Sequence, residues 1–265
     1  TNAIEIRGLS KRYKGFSLDN LNLDLPYGCV LGLVGENGAG KSTTIRLIMD
    51  ALERDGGTVS VLGADNKSRE FLDLKEDVGV VLDETFVPEI LTAKQLGRIM
   101  AGTFRRWDQG AYEGWMKRLE LPWDKKFKEY SRGMTMKLGI AAALSHHPRL
   151  LLLDEATGGL DPMVREELLE VFADFAAQDG HAVLLSSHIV SDLERICDYI
   201  AFLHQGRLLL CEEKDVLLDT FGILKCSREQ LKNIPQEAVH GKRIGNYGVE
   251  ALVERAYMPR DAVVD

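Results

Sequence analysis

The sequence predicts an α/β fold organised on a parallel sheet, and three observations carry the prediction. Strand-length apolar runs recur at residues 29–34, 78–82, 150–153 and 182–186, apolar at consecutive positions as in strands buried on both faces. Helical patterns separate them, the alternation that builds parallel sheets. The first run also opens directly into Gly35-Glu36-Asn37-Gly38-Ala39-Gly40-Lys41-Ser42, which fits G-x-x-x-x-G-K-[ST], and Thr43-Thr44-Ile45-Arg46-Leu47-Ile48 reads as a helix behind it.

In chain order, Ala3-Ile4-Glu5-Ile6-Arg7 reads as a strand, and 59–62 and 78–82 continue the strand series after the glycine-rich loop. From about 91 to 147 the pattern turns helical, with helices over 92–103 and 109–119 and a third opening near Ser131. Strands return at 150–153 and 182–186, with helices at about 162–178 and 189–196. A helical block is thus inserted between two halves of an α/β sheet. Residues 221–265 read as an appendage, with a strand at 222–226 and a helix at about 248–256.

Composition bounds the function. A length of 265 residues with 45% apolar and 28% charged residues is that of an ordinary globular protein. A net charge of −8 argues against nucleic-acid binding by bulk electrostatics, so no nucleic-acid partner is expected, and Asp124-Lys125-Lys126-Phe127-Lys128 reads as a solvated turn. The four cysteines form no C-x-x-C pair and read as reduced thiols. No signal-peptide pattern stands at the amino terminus, and no apolar run approaches 18 residues, so a membrane role is expected only through a partner.

The glycine-rich loop carries the sharpest chemistry. Gly35, Gly38 and Gly40 let the backbone N–H groups of the turn approach a polyphosphate, with the following helix N-terminus aimed at the same place. Lys41 is then expected to reach the β- and γ-phosphates of a nucleoside triphosphate, and the Ser42 hydroxyl to hold Mg²⁺. The run 150–153 ends in Asp154 and Glu155, delivering two acids to the sheet edge where ligands bind in open α/β sheets. Asp154 is expected in the Mg²⁺ hydration shell and Glu155 beside the γ-phosphate, polarising the attacking water. His188 follows another apolar strand to the same edge, as a γ-phosphate sensor or as an ordinary structural histidine. Ser131 is either a plain helix cap or, with the N–H of Gly133, a second phosphate-facing site.

Taken together, the order of these motifs over about residues 3 to 220 resembles the nucleotide-binding domain of an ABC transporter. The resemblance implies a P-loop NTPase fold: a RecA-like core with an N-terminal antiparallel β part, an inserted α-helical subdomain at about 91–147, and the small C-terminal α/β appendage. It assigns Tyr13 to adenine stacking. Asn37, Ala39 and Thr43 join the phosphate contacts, Tyr130 to Met134 form the signature sequence, Asp154-Glu155 the Walker B pair and Gly159-Leu160-Asp161 the D-loop. His188 becomes the switch histidine. More narrowly, Val81-Leu82-Asp83-Glu84, Trp107-Asp108 and the tail after Thr220 resemble the Ytr-type exporter ATPases of bacterial operons under GntR-type regulators.

The family likeness implies ATP and Mg²⁺ as cofactors. It also implies two copies, identical or paired with another ABC ATPase, closing on two ATP molecules, with each loop facing Ser131 and Gly133 of the opposite subunit. The helical block, roughly 84 to 130, would dock an integral membrane subunit, placing the chain in the cytoplasm on the inner face of the membrane. A soluble ABC ATPase without a transport role is the alternative. Two positions depart from the family pattern. Asp83 stands where a glutamine is usual, as a direct Mg²⁺ ligand or a solvated acid, and Arg132 replaces the second signature glycine and is expected to point to water.

Overall fold

A computed structural model of the chain describes residues 1–83, 87–245 and 248–259. They divide into two compact units, Thr1–Cys211 and Glu212–Asp265.

In the first unit, β1 (Asn2–Tyr13) and β2 (Phe16–Pro26) pair antiparallel, and alternation buries Ile4, Ile6, Leu21, Leu23 and Leu25 on one face. Next come β3 (Val30–Val34), α1 (Lys41–Ile48), β4 (Gly56–Val61), β5 (Ala64–Asp65), α2 (Arg69–Leu74) and β6 (Val78–Val81). The helical block follows as α3 (Ala93–Thr103), α4 (Gln109–Arg118) and α5 (Arg132–Leu144). The chain then returns through β7 (Leu150–Asp154), α6 (Pro162–Ala176), β8 (Ala182–Ser187), α7 (Val190–Ile196), β9 (Tyr199–His204) and β10 (Arg207–Glu213).

Two sheets result. One is antiparallel in the order β2-β1-β4-β5; the other has six strands in the order β10-β9-β3-β8-β7-β6, and β9, β3, β8, β7 and β6 pair in parallel. The uninterrupted leucines of β7 have a simple cause. Leu150 and Leu152 enter the core shared with β1 and α1, while Leu151 and Leu153 enter the core shared with α5 and α6, so neither face tolerates a polar residue. Local signals set the helix starts. Thr92 and Gln95 form a reciprocal capping box on α3, Asp108 caps α4, and Asp161 caps α6 ahead of Pro162. α5 runs back along β6: a Cβ built at Gly139 would lie 3.4 Å from Val81 Cγ1, and one at Gly79 would lie 3.1 Å from the Ala143 carbonyl.

The second unit contains α8 (Lys214–Thr220), β11 (Phe221–Cys226), α9 (Arg228–Leu231), β12 (Val239–Ile244) and β13 (Val249–Glu254), its sheet ordered β11-β13-β12 with antiparallel pairs. Its core gathers Leu224, Ile234, Ala238, Val249, Ala251 and Val253. The helix expected at about 248–256 is instead the central strand β13. Val249, Ala251 and Val253 are buried and Glu250 and Leu252 exposed, a period of two that sheet pairing on both sides selects over a helix. The units divide at 211/212, earlier than the 220/221 boundary read from the sequence. Arg255 explains the difference, donating from Nε to the carbonyls of Leu218 (2.6 Å) and Phe221 (2.8 Å) and so holding α8 within the second unit.

Candidate active site

β3, β7 and β8 end at one edge of the parallel sheet, and the candidate residues gather there. The loop 35–40 turns through Gly38 (φ 84°) and Gly40 (φ 112°), backbone conformations that side chains rarely adopt. It is propped from behind: a Cβ at Gly35 would lie 2.4 Å from the Leu203 carbonyl, and Gly206 N–H donates to the Ala39 carbonyl at 3.0 Å. Asn37 stands exposed on the turn, and Ala39 is buried under it. Lys41 opens α1 with only 6% of its surface exposed, and its ammonium donates to the carbonyls of Gly35 (2.7 Å) and Glu36 (3.3 Å). Ser42 and Thr43 complete the first turn. Gly40, the N-cap, supplies no side chain to the N–H groups at the start of α1, which leaves an anion-facing helix terminus.

The two acids are set by β8. Ser186, fully buried and level with Asp154, donates its hydroxyl to Asp154 Oδ1 at 2.6 Å. The Glu155 N–H donates to the Ser186 carbonyl (3.1 Å) and to its hydroxyl (3.2 Å), pinning Glu155 at φ 51°. A non-glycine residue held in the left-handed region costs about 1–3 kcal/mol and persists where its surroundings over-determine it. His188 donates from Nδ1 to Glu155 Oε2 at 2.6 Å, which makes it a partner of the acid. The other oxygen, Oε1, lies 3.3 Å from Lys41 Nζ yet is buried without a hydrogen bond. Oε1 is thus ion-paired with Lys41 but lacks a hydrogen-bond donor, and a water donating to it would satisfy it.

These features fit a nucleoside triphosphate: an ammonium beside glycine N–H groups, and an acid oxygen lacking a donor. They also fit Mg²⁺ of a particular kind. Among the described residues no group of three or more His, Cys, Asp or Glu side chains is placed to hold a metal ion, so a metal held by Ser42 and Asp154 would take its remaining ligands from phosphate and water, as Mg²⁺ does.

The remaining candidates fall around this centre. Tyr13, 44% exposed, lines a cavity of about 530 Å³ together with Phe16, Gln205 and Gly38, which puts an aromatic face beside the phosphate loop. Ser131 caps α5, accepting from the Met134 N–H at 3.2 Å, and a Cβ at Gly133 would lie 3.2 Å from the Gly159 carbonyl. Gly133, in the turn that Ser131 caps, therefore packs against the 158–161 turn, which Asp161 closes as the N-cap of α6. Tyr130 packs on Phe127 and donates to the Pro122 carbonyl, and burial pushes its hydroxyl up to about 12.

Arg132 stays exposed to water as expected, with 62% of its side chain accessible, and it also pairs with Asp83, because the first turn of α5 comes to rest beside the end of β6. Glu84, part of the stretch resembling the Ytr-type ATPases, lies outside the described residues. Two contributors escaped the sequence reading, Ser186 and the 203–206 turn behind the loop. The signal for the first was a serine pair closing an otherwise apolar strand just before His188.

Comparison with known proteins identifies the family. The ABC transporter family model matches residues 18–158. The ABC transporter ATP-binding protein YtrB of Bacillus subtilis is 32% identical over 219 residues, covering 82% of this chain and 74% of that protein. The lantibiotic transport ATP-binding protein SrtF of Streptococcus pyogenes is 33% identical over 215 residues, 80% of this chain and 91% of that one. Among solved structures, an ATP-binding subunit of an ABC transporter superposes with a TM-score of 0.73 at 29% identity, covering 82% of this chain and 92% of that chain. A dimeric ATP-binding cassette in a post-hydrolysis state with ADP and Pi shares the fold, with a TM-score of 0.71 at 23% identity over 79% of this chain and 98% of that one. The chain belongs to the ABC transporter family, as an ATP-binding cassette.

Proposed function

We propose that this cassette powers solute export by a separate membrane subunit, hydrolysing Mg²⁺-bound ATP with Glu155 as the base. The carrying observation is the buried Glu155 Oε1, without a hydrogen bond and 3.3 Å from Lys41 Nζ. Lys41 and the N–H groups at the start of α1 hold the phosphates. Glu155 accepts a hydrogen bond from the attacking water at Oε1, and its other oxygen stays oriented by His188. Ser186 keeps Asp154 and the Glu155 backbone in register, while Ser42 and Asp154 face the metal. Held by Ser42 and Asp154, Mg²⁺ would supply charge neutralisation to the phosphates. Tyr13 offers the adenine a face beside Gly38.

Ser131, Gly133, Met134 and Asp161 would complete the site of a second cassette, identical or related, so that ATP draws two copies together and hydrolysis releases them. The capped Ser131 hydroxyl accepts one bond and keeps its own O–H for a phosphate. An apolar cavity of about 530 Å³, lined by Leu72, Val78, Met100, Phe104 and Leu138, lies between β6 and the helical block and suits an apolar element of the membrane subunit. Among the described residues no helix is long and apolar enough to cross a membrane, and the proposed place of the chain is the inner membrane face, held there by that subunit. Relatives named for lantibiotic, bacitracin and daunorubicin/doxorubicin handling support export as the direction.

Glu155→Gln tests the reading. It should lower ATP turnover about 10²- to 10⁴-fold, the usual worth of a general base, while an ATP-bound dimer persists on size exclusion. Undiminished turnover would remove Glu155 from that role.

A further inference from the structure

The cavity beside Tyr13 has a polar wall that no motif of the sequence includes. Gln205 and Gly206 are the two residues joining β9 to its neighbour β10, and both lie in the left-handed region, with φ of 45° and 78°. A type I′ hairpin turn demands that conformation, and glycine, asparagine or aspartate supplies it more cheaply than glutamine. The turn is clamped on both sides. Gly206 N–H donates to the Ala39 carbonyl at 3.0 Å, and the Gly206 carbonyl accepts from the Asp19 N–H at 2.8 Å. A Cβ at Gly206 would lie 1.7 Å from the Ser17 carbonyl, so the turn has no room to shift. One residue earlier, His204 Nδ1 stands 3.2 Å from Glu36 Oε1 of the phosphate loop. With its backbone held in this way, Gln205 lines the cavity together with Tyr13, Phe16 and Gly38, and among the described residues its amide has no hydrogen-bond partner.

Resting on the nucleotide-site reading above, we infer that Gln205 reads the base and makes the site prefer adenine to guanine. Tyr13 offers a π face, and stacking on it accepts any base. Discrimination needs a group beside the ring, in its plane. A primary amide presents one acceptor and one donor side by side. Adenine N6–H and N7 are the matching donor and acceptor, whereas guanine O6 and N7 are two acceptors, one of which would face the amide oxygen. Position selects that edge. In an anti nucleotide the C8–N7 edge lies on the phosphate side of the base, and Gln205 shares its cavity with Gly38 of the phosphate loop. The amide therefore accepts from N6–H through Oε1 and donates to N7 through Nε2. Arg12 lines the same cavity, and its guanidinium, a donor only, would favour guanine at that edge. The two side chains make opposite predictions, and the base preference tells them apart.

The test is calorimetric binding of ADP, GDP and 7-deaza-ADP, each with Mg²⁺, which keeps hydrolysis out of the readout. The wild type should bind ADP about two- to tenfold more tightly than GDP or 7-deaza-ADP, the worth of one or two hydrogen bonds. Gln205→Gly keeps the left-handed turn and deletes the amide, so it should bind all three alike. Arg12→Ala should leave the preference for ADP in place. A wild type indifferent to the base, a wild type that loses nothing with 7-deaza-ADP, a preference that survives Gln205→Gly, or one abolished by Arg12→Ala would overturn the inference. The nucleotide-site reading fails separately, if the wild type binds no Mg²⁺-ADP at all, and then the inference falls with it.

Discussion

The first turns of two helices in this chain, α1 and α5, are finished in opposite ways. α1 begins at Gly40, which offers no side chain to its first turn, while α5 begins at Ser131, whose hydroxyl accepts from Met134. Lys41, at the head of α1, is buried and tied to the loop carbonyls before any ligand arrives; Arg132, at the head of α5, reaches out to an exposed acid. The difference separates a site organised within one chain from a surface completed by something else. A bare N-terminus beside a buried ammonium is costly unless an anion answers it. A capped one is stable alone and still offers its O–H to a second cassette.

Three experiments probe that contrast, beginning with the largest effect. Lys41→Ala removes a charged donor from the preformed site and should weaken ATP binding roughly 10- to 150-fold, as expected of a charge-assisted hydrogen bond of about 1.5–3 kcal/mol. An unchanged binding isotherm would mean that α1 does not hold the phosphates. Ser131→Ala should behave in the other way. Monomer ATP affinity should stay at the wild-type value, while ATP-dependent dimer formation weakens and thermal stability drops by about 1 kcal/mol for the lost cap. A change in monomer affinity would erase the division between the two termini.

The smallest effect concerns the opposite end of α5. His146 is buried, stacks on Phe104 at 4.0 Å and bonds through Nδ1 to the Glu76 carbonyl, and burial holds its ring below the ordinary histidine value of 6.5. The unfolded chain then takes up the proton first, so this contribution to stability is present above about pH 6.5 and is lost as pH falls below it. Urea midpoints compared between pH 7.5 and pH 5.5 should decline in the wild type and decline less in His146→Gln. Equal declines would place the acid sensitivity elsewhere.

Much of this was legible because local physics left little choice. A run such as Leu150-Leu151-Leu152-Leu153 is tolerable only between two apolar layers, and Thr92, Asp108, Ser131 and Asp161 each carry the acceptor that a helix start requires. Where the signal was short, it misled. Val249 to Glu254 satisfies a strand as well as a helix, and neighbouring β11 and β12 made the choice. Arg132 was legible only in part: it is exposed, as an arginine on a first turn should be, but its acid partner is set by the docking of α5 beside β6.

The order of residues alone settled which chemistry is present: a glycine turn followed by a lysine, an acid pair closing an apolar strand, and a helix cap of the signature type. Each is written in contiguous positions, since each depends on backbone geometry a few residues long. Which groups act together was left to tertiary packing. Ser186 sits more than 30 residues from the acids it holds, the 203–206 turn is far along the chain from the loop it supports, and Asp83 and Arg132 lie 49 apart. Those contacts arise from strand register and helix docking, and no local pattern encodes a distance across a sheet.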